Sequence, residues 1–297
     1  MGKAADKARD VAVDDTMEDE RDAEQADHDR VAAAANARFT QSEYQLSWLR
    51  NTWTITRREF KSYFDSPLAY VILCGSLALL GVLFFFMPPT PVTGGSFWQI
   101  DRATMAGLFA PFPLIFCVIC PIVTMRSLAE EKRMGTLELL ITMPVRDSEV
   151  IMGKYFGALG LISVLLIASF LFPVAIFAWP WHLGPLDWGV VWTAYLGLFL
   201  CSAASIAIGI FFSSMTESQM LALFGTMITL VVLYAVGFLA DLIHGPIGDT
   251  FGFLSFYTRF MPFSRGLIDT RAIIYFLSIT VIALLLAFRK LESRKWA

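Results

Sequence analysis

The sequence predicts an all-α integral membrane protein with six transmembrane helices, on three observations. Of its 297 residues, 56% are hydrophobic and 16% charged, with a mean hydropathy of +0.60; soluble chains carry about 25% charged residues. The apolar residues collect into six runs, near 67–87, 104–125, 155–181, 190–212, 220–240 and 272–288. About 20 residues at 1.5 Å each cover a hydrocarbon core of about 30 Å. Charge, in contrast, concentrates in a polar island from Arg126 to Lys154 that hydrocarbon would not admit.

Residues 1–45 are acidic and nearly free of aromatic side chains, with Asp6, Asp10, Asp14, Asp15, Glu18 and further carboxylates against few basic residues. Such a segment buries too little apolar surface to offset its ordering entropy, so a disordered tail is expected ahead of a six-span membrane domain at 46–297. No basic region followed by an apolar one opens the chain, so the first span is expected to act as its own insertion signal. Neither the acidic tail nor the slightly basic remainder suggests a nucleic-acid partner.

Leu46, Leu49, Trp53, Phe60 and Phe64 recur near a 3.6-residue period, with Arg50, Arg57, Arg58 and Lys61 around them. The pattern predicts an amphipathic helix lying in the membrane interface. Ser66 and Pro67 suit the start of a new helix, so the chain turns through an elbow into the first span. Pro111, Pro113 and Pro121 are expected to kink the second span, which membrane helices tolerate. Gly153 and Gly157 stand in GxxxG spacing at the foot of the third, where close helix approach is possible. Trp179, Trp181, Trp188 and Trp192 form an aromatic belt before the fourth. Residues 241–271 are too polar and too broken by Gly and Pro to span, yet rich in Phe, and are expected to pack against or dip into the membrane.

Six spans put both termini on one side. That side holds Arg50, Arg57, Arg58, Lys61, the basic residues of the island, and Arg289, Lys290, Arg294 and Lys295; the other has Arg102, Arg259, Arg265 and Arg271. The positive-inside rule places the richer side, with both termini and the island, in the cytoplasm.

Catalytic signatures are missing. The sequence contains no G-x-x-x-x-G-K-[ST], no H-E-x-x-H and no G-x-S-x-G. Cys117 and Cys120 have C-x-x-C spacing but lie in an apolar run without a second pair, and read as packed small hydrophobes. The chain is therefore expected to be no enzyme, and energy is expected to arrive from outside the membrane.

The island admits two readings. Glu130-Glu131-Lys132-Arg133 reads as the exposed end of a helix continuing from the second span, with Gly135 allowing a sharp turn. Thr136 suits the cap of a short helix that Pro144 stops, and Asp147 or Ser148 the cap of the next. This is a wedge able to transmit a push from a docked soluble partner, or a solvated loop with ordinary caps.

The run Glu130-Glu-Lys-Arg-Met-Gly-Thr-Leu-Glu-Leu-Leu-Ile-Thr-Met-Pro-Val145, with Gly209-Ile-Phe-Phe-Ser-Ser-Met-Thr-Glu-Ser-Gln219, resembles ABC-2 type transporter permeases over residues 50–297, and within them the gliding-motility-associated, GldF-type branch. The resemblance implies a permease subunit that pairs with a second, identical or related permease chain and docks a soluble ATPase holding ATP and Mg, with no cofactor on this chain. It also implies an ATPase-coupling interface of Glu130, Glu131, Gly135, Thr136, Glu138 and Pro144, joined by Arg57, Arg58 and Lys61 of the entry helix. The competing class is a non-transporting scaffold that anchors soluble or envelope machinery through the same island.

Overall fold

The computed structural model describes residues 48–86, 106–135, 146–177, 187–243 and 245–293. The chain divides into two compact units, Met1–Asn51 and Thr52–Ala297. Residues 48–51 are the described part of the first and are helical. All that follows concerns the second.

The described residues form helices and no strand. Helix α1 of the second unit covers 52–65, and a bend at Ser66 separates it from α2, Pro67–Phe86. Ser66 Oγ accepts from Leu68 N at 3.3 Å, so the elbow is capped as its sequence suggests. Then come α3 (Ala106–Phe109), α4 (Phe112–Thr124), α5 (Ala129–Arg133), α6 (Asp147–Ser169), α7 (Leu171–Phe177) and α8 (Trp188–Met215). The last four are α9 (Gln219–Leu242), α10 (Pro246–Leu254), α11 (Phe256–Ser264) and α12 (Thr270–Glu292). Among the described residues, six stretches are long and apolar enough to cross a membrane: Pro67–Phe86, Phe112–Arg133, Asp147–Ala175, Trp188–Met215, Gln219–Ala240 and Thr270–Glu292. The protein is an all-α integral membrane protein.

Helix α8 is the centre of the bundle and packs against α4, α6, α9, α11 and α12. Its sequence explains this position. Cys201, Ala203, Ala204, Ser205, Ala207 and Gly209 keep its surface small, and in lipid it is close van der Waals packing, more than apolar burial, that holds helices together. Serine costs little here because Ser205 Oγ donates to Cys201 O, one turn back, at 2.8 Å. A Cβ at Gly197 would lie 2.6 Å from Phe263 Cβ, and one at Gly209 would lie 2.1 Å from Thr124 Oγ1.

Residues 241–271 resolve into α10 and α11, nine residues each, which at about 14 Å are too short to span. Ser255 joins them and accepts from Thr258 N at 3.3 Å. Phe256, Phe260 and Phe263 are buried, and Phe256 meets the edges of Tyr275 and Phe276 on α12. The aromatic loop is thus a helical pair, α10 packed on α9 and α11 on α8 and α9, with Phe256 reaching α12.

The second span is interrupted where its prolines and one serine dictate. Turns at Ala110–Pro111 and at 125–128 bound α4, and Pro121 lies inside it. At the second turn Ser213 Oγ of α8 accepts from both Leu128 N and Ala129 N at 3.0 Å, so α8 caps α5 from across the bundle. Helix α5 thus continues the second span, to Arg133, beyond a turn, but its end is not fully exposed as expected: Lys132 is buried with its Nζ donating to Ser214 O.

Gly209→Ala should lower the thermal unfolding midpoint of the detergent-purified protein, at a cost of about 1–3 kcal/mol. Thr124 is fully buried, and its Oγ1, Cβ and Cγ2 all lie within 3.0 Å of the new methyl, so no rotamer relieves the overlap. Gly75→Ala, where a Cβ meets nothing within 4 Å, should leave the midpoint in place.

Candidate functional site

Three elements meet at one end of the bundle: α1, α5 and the foot of α6. The meeting starts from three glycines on α6. A Cβ at Gly153 would sit 2.5 Å from Ile55 Cγ2, one at Gly157 2.8 Å from Glu59 Cβ, and one at Gly160 2.8 Å from Phe60 Cδ2. The GxxxG spacing, extended by Gly160, is a groove cut for α1. Thr52, Ile55, Thr56, Glu59, Phe60 and Tyr63 are drawn in, while Trp53 is 69% exposed. The side of α1 that faces protein therefore takes Phe60 from the aromatic stripe and leaves Trp53 out.

Between two of those glycines stands Lys154, 3% exposed. A buried ammonium needs carboxylates, because desolvation of an unpaired charge costs several kcal/mol. Lys154 Nζ lies 3.2 Å from Glu59 Oε1 on α1 and 2.7 Å from Glu131 Oε1 on α5. Arg58 Nη2 adds a contact to Glu59 Oε1 at 3.3 Å, so two cations and two carboxylates alternate across the three helices. Tyr63 strengthens the seam by donating from its hydroxyl to Val123 O at 3.3 Å. Burial, and the charge of Glu59 beside it, push the Tyr63 phenol above its ordinary value, which keeps it a neutral donor.

Helix α6 starts at this junction. Its N-cap position is Arg146, not Asp147 or Ser148, and the buried Glu149 carboxylate accepts from Arg146 N at 3.3 Å. Asp147 and Glu149 in the first turn also suit the positive end of the helix dipole. At the far end of α5, Gly135 has φ +70 and its N–H reaches Lys132 O at 3.2 Å. Nothing lies within 4 Å of a Cβ there, so glycine is required by backbone conformation and not by space.

Of the residues singled out in the sequence, Glu130, Glu131 and Gly135 stand on or just after α5, and Arg58 borders the ion-pair chain. Arg57 and Lys61 are exposed on α1. Thr136, Glu138 and Pro144, with the short helix expected at Leu137–Ile141, lie outside the described residues, as do Trp179, Trp181 and the tail 1–45. Glu59, Lys154 and Ser213 were missed. A signal for Lys154 existed: it is a lone charge set between glycines that mark a helix-packing face.

The described residues contain no cluster of three or more His, Cys, Asp or Glu able to hold a metal. What the junction does is mechanical: it fastens an interfacial helix and the end of the second span to the base of the third. A multi-span permease subunit is the class of protein that this fold defines. The chain matches the ABC-2 family transporter protein family over residues 8–289 and belongs to that family. It is a membrane permease subunit of an ABC transporter, and membership implies an ATPase partner. The match begins inside the acidic segment, well ahead of residue 50, where the motif resemblance starts. A comparison with curated proteins finds no match.

The buried cation makes the seam asymmetric toward substitution. Glu59→Gln/Glu131→Gln should destabilise the purified protein by about 3 kcal/mol, since it strands the ammonium. Lys154→Met should cost less, because Glu59 and Glu131 are 17% and 21% exposed and water can reach them. Thermal unfolding of the two variants side by side checks the order.

Proposed function

We propose that this chain couples ATP hydrolysis on a separate subunit to export of a substrate across a bacterial inner membrane, and that α1, α5 and the foot of α6 receive the stroke. The observation that carries the proposal is the bridging of all three by Lys154. An element that must transmit force has to be stiff, and two ion pairs on a buried cation over a glycine groove make it so. Glu130, Glu131, Gly135, Thr136, Glu138 and Pro144 form the surface offered to the ATPase, with Arg57, Arg58 and Lys61 beside them. The count of basic residues supports a cytoplasmic location for this end and both termini, on the side where an ATPase partner would hold ATP and Mg. Two permease chains, identical or related, complete the transporter. The motif likeness supports the GldF-type branch.

Mild-detergent purification from native membranes should recover a soluble P-loop ATPase. In the reconstituted complex Gly135→Val should depress the ATP-driven rate severalfold, since a β-branched residue resists φ +70. Gly135→Asn, which tolerates that region, should retain most of it. Glu138→Arg should also uncouple. An unchanged ATPase rate in Glu138→Arg and Gly135→Val with intact assembly would favour a non-transporting scaffold instead.

A further inference from the structure

A cavity of about 430 Å³ lies in the elbow between α1, α2 and the end of α4, beside α5. That volume falls within the roughly 300–1,000 Å³ of ligand sites. We propose that it holds the headgroup of a zwitterionic phospholipid, with the phosphate toward Arg126 and Arg58 and the ammonium toward Glu130.

Charge is the first argument. The lining contains the cations Arg58, Arg126 and Lys154 and the carboxylates Glu59, Glu130 and Glu131, three of each. An anionic ligand meets as many carboxylates as cations and gains little. Lys154 is held by Glu59 and Glu131. Arg126 and Glu130 have no ion-pair partner among the described residues, although they flank the same turn. A ligand carrying one phosphate and one ammonium satisfies both at once, with charge-assisted hydrogen bonds.

A second, independent observation is Ser127. The residue lines the cavity and is 6% exposed, and its buried Oγ has no hydrogen-bond partner among the described residues. Buried hydroxyls are rarely left so, and a phosphate oxygen is the acceptor such a group lacks. The remaining wall is apolar: Leu68, Ala69 and Ile72 on one face of α2, with Ile122 and Val123 on α4. Helix α2 keeps most of its surface outside the bundle, with Tyr70, Val71 and Leu79 exposed. The cavity therefore has charged groups where an interfacial helix turns into a span, and an apolar wall along that span. This is the profile of a lipid from headgroup to upper acyl chain, and a soluble phosphoamine would leave that wall unused.

Native mass spectrometry of the full-length protein, titrated with phosphatidylethanolamine, phosphatidylglycerol and soluble glycerophosphoethanolamine, tests the assignment. Phosphatidylethanolamine should bind about tenfold tighter than either alternative. Arg126→Glu, and Ser62→Trp, which fills the cavity from an exposed position, should each weaken it by about tenfold, while Arg265→Glu outside the cavity should not. Equal binding of phosphatidylglycerol would overturn the zwitterionic assignment. Equal binding of the soluble headgroup would overturn the lipid. Phosphatidylethanolamine binding untouched by Arg126→Glu and Ser62→Trp would overturn the site. None of these outcomes depends on ATPase coupling.

Discussion

One buried ammonium sets the terms for the end of this bundle that carries the polar island. Lys154 cannot stay charged at 3% exposure without carboxylates, and its own helix supplies none in reach. It takes them from α1 and from α5, which obliges both to stay against the foot of α6. The arrangement also needs backbone proximity, since a side chain larger than hydrogen at Gly153 or Gly157 would push Ile55 or Glu59 away. Glycine spacing and ion pairing are thus one device: the first lets α1 approach, and the second fixes its position along the groove.

The same economy governs the membrane interior. Helices in lipid gain little from burying apolar groups against one another, so small residues on α8 make contact possible and hydroxyls bonded one turn back stay satisfied. Ser213 departs from that habit. Its Oγ is taken by Leu128 and Ala129 N–H groups, tying α8 to the start of α5. With Lys132 bonded to Ser214 O, α5 is held both to the bundle centre and, through Glu131, to α6.

Composition and run length made the six spans legible, because a hydrocarbon core of fixed thickness leaves a plain trace in sequence. The elbow was legible too, through Ser66 and Pro67. The polar contacts were not. Glu59 and Lys154 stand 95 residues apart, and no periodicity pairs them. Lys132 read as exposed because it sits among charges, yet the turn at 125–128 rotates it onto α8. The amphipathic stripe of α1 located only part of the side that meets protein: the glycine groove on α6 takes Phe60 from it, and Ile55 and Glu59 from outside it. Gly135 was readable because its positive φ is a local requirement.

The central claim is that α1, α5 and the foot of α6 move as one body. Spin labels at Trp53→Cys on α1 and Phe156→Cys on α6, both exposed positions, with the exposed Cys74 replaced by Ser, report the separation by pulsed electron–electron resonance in the ATPase-bound complex. One narrow distance distribution is expected, the same with and without ATP, that broadens when Glu59→Gln/Glu131→Gln is added. A distribution that shifts with nucleotide while the Lys154 ion pairs are intact would contradict it.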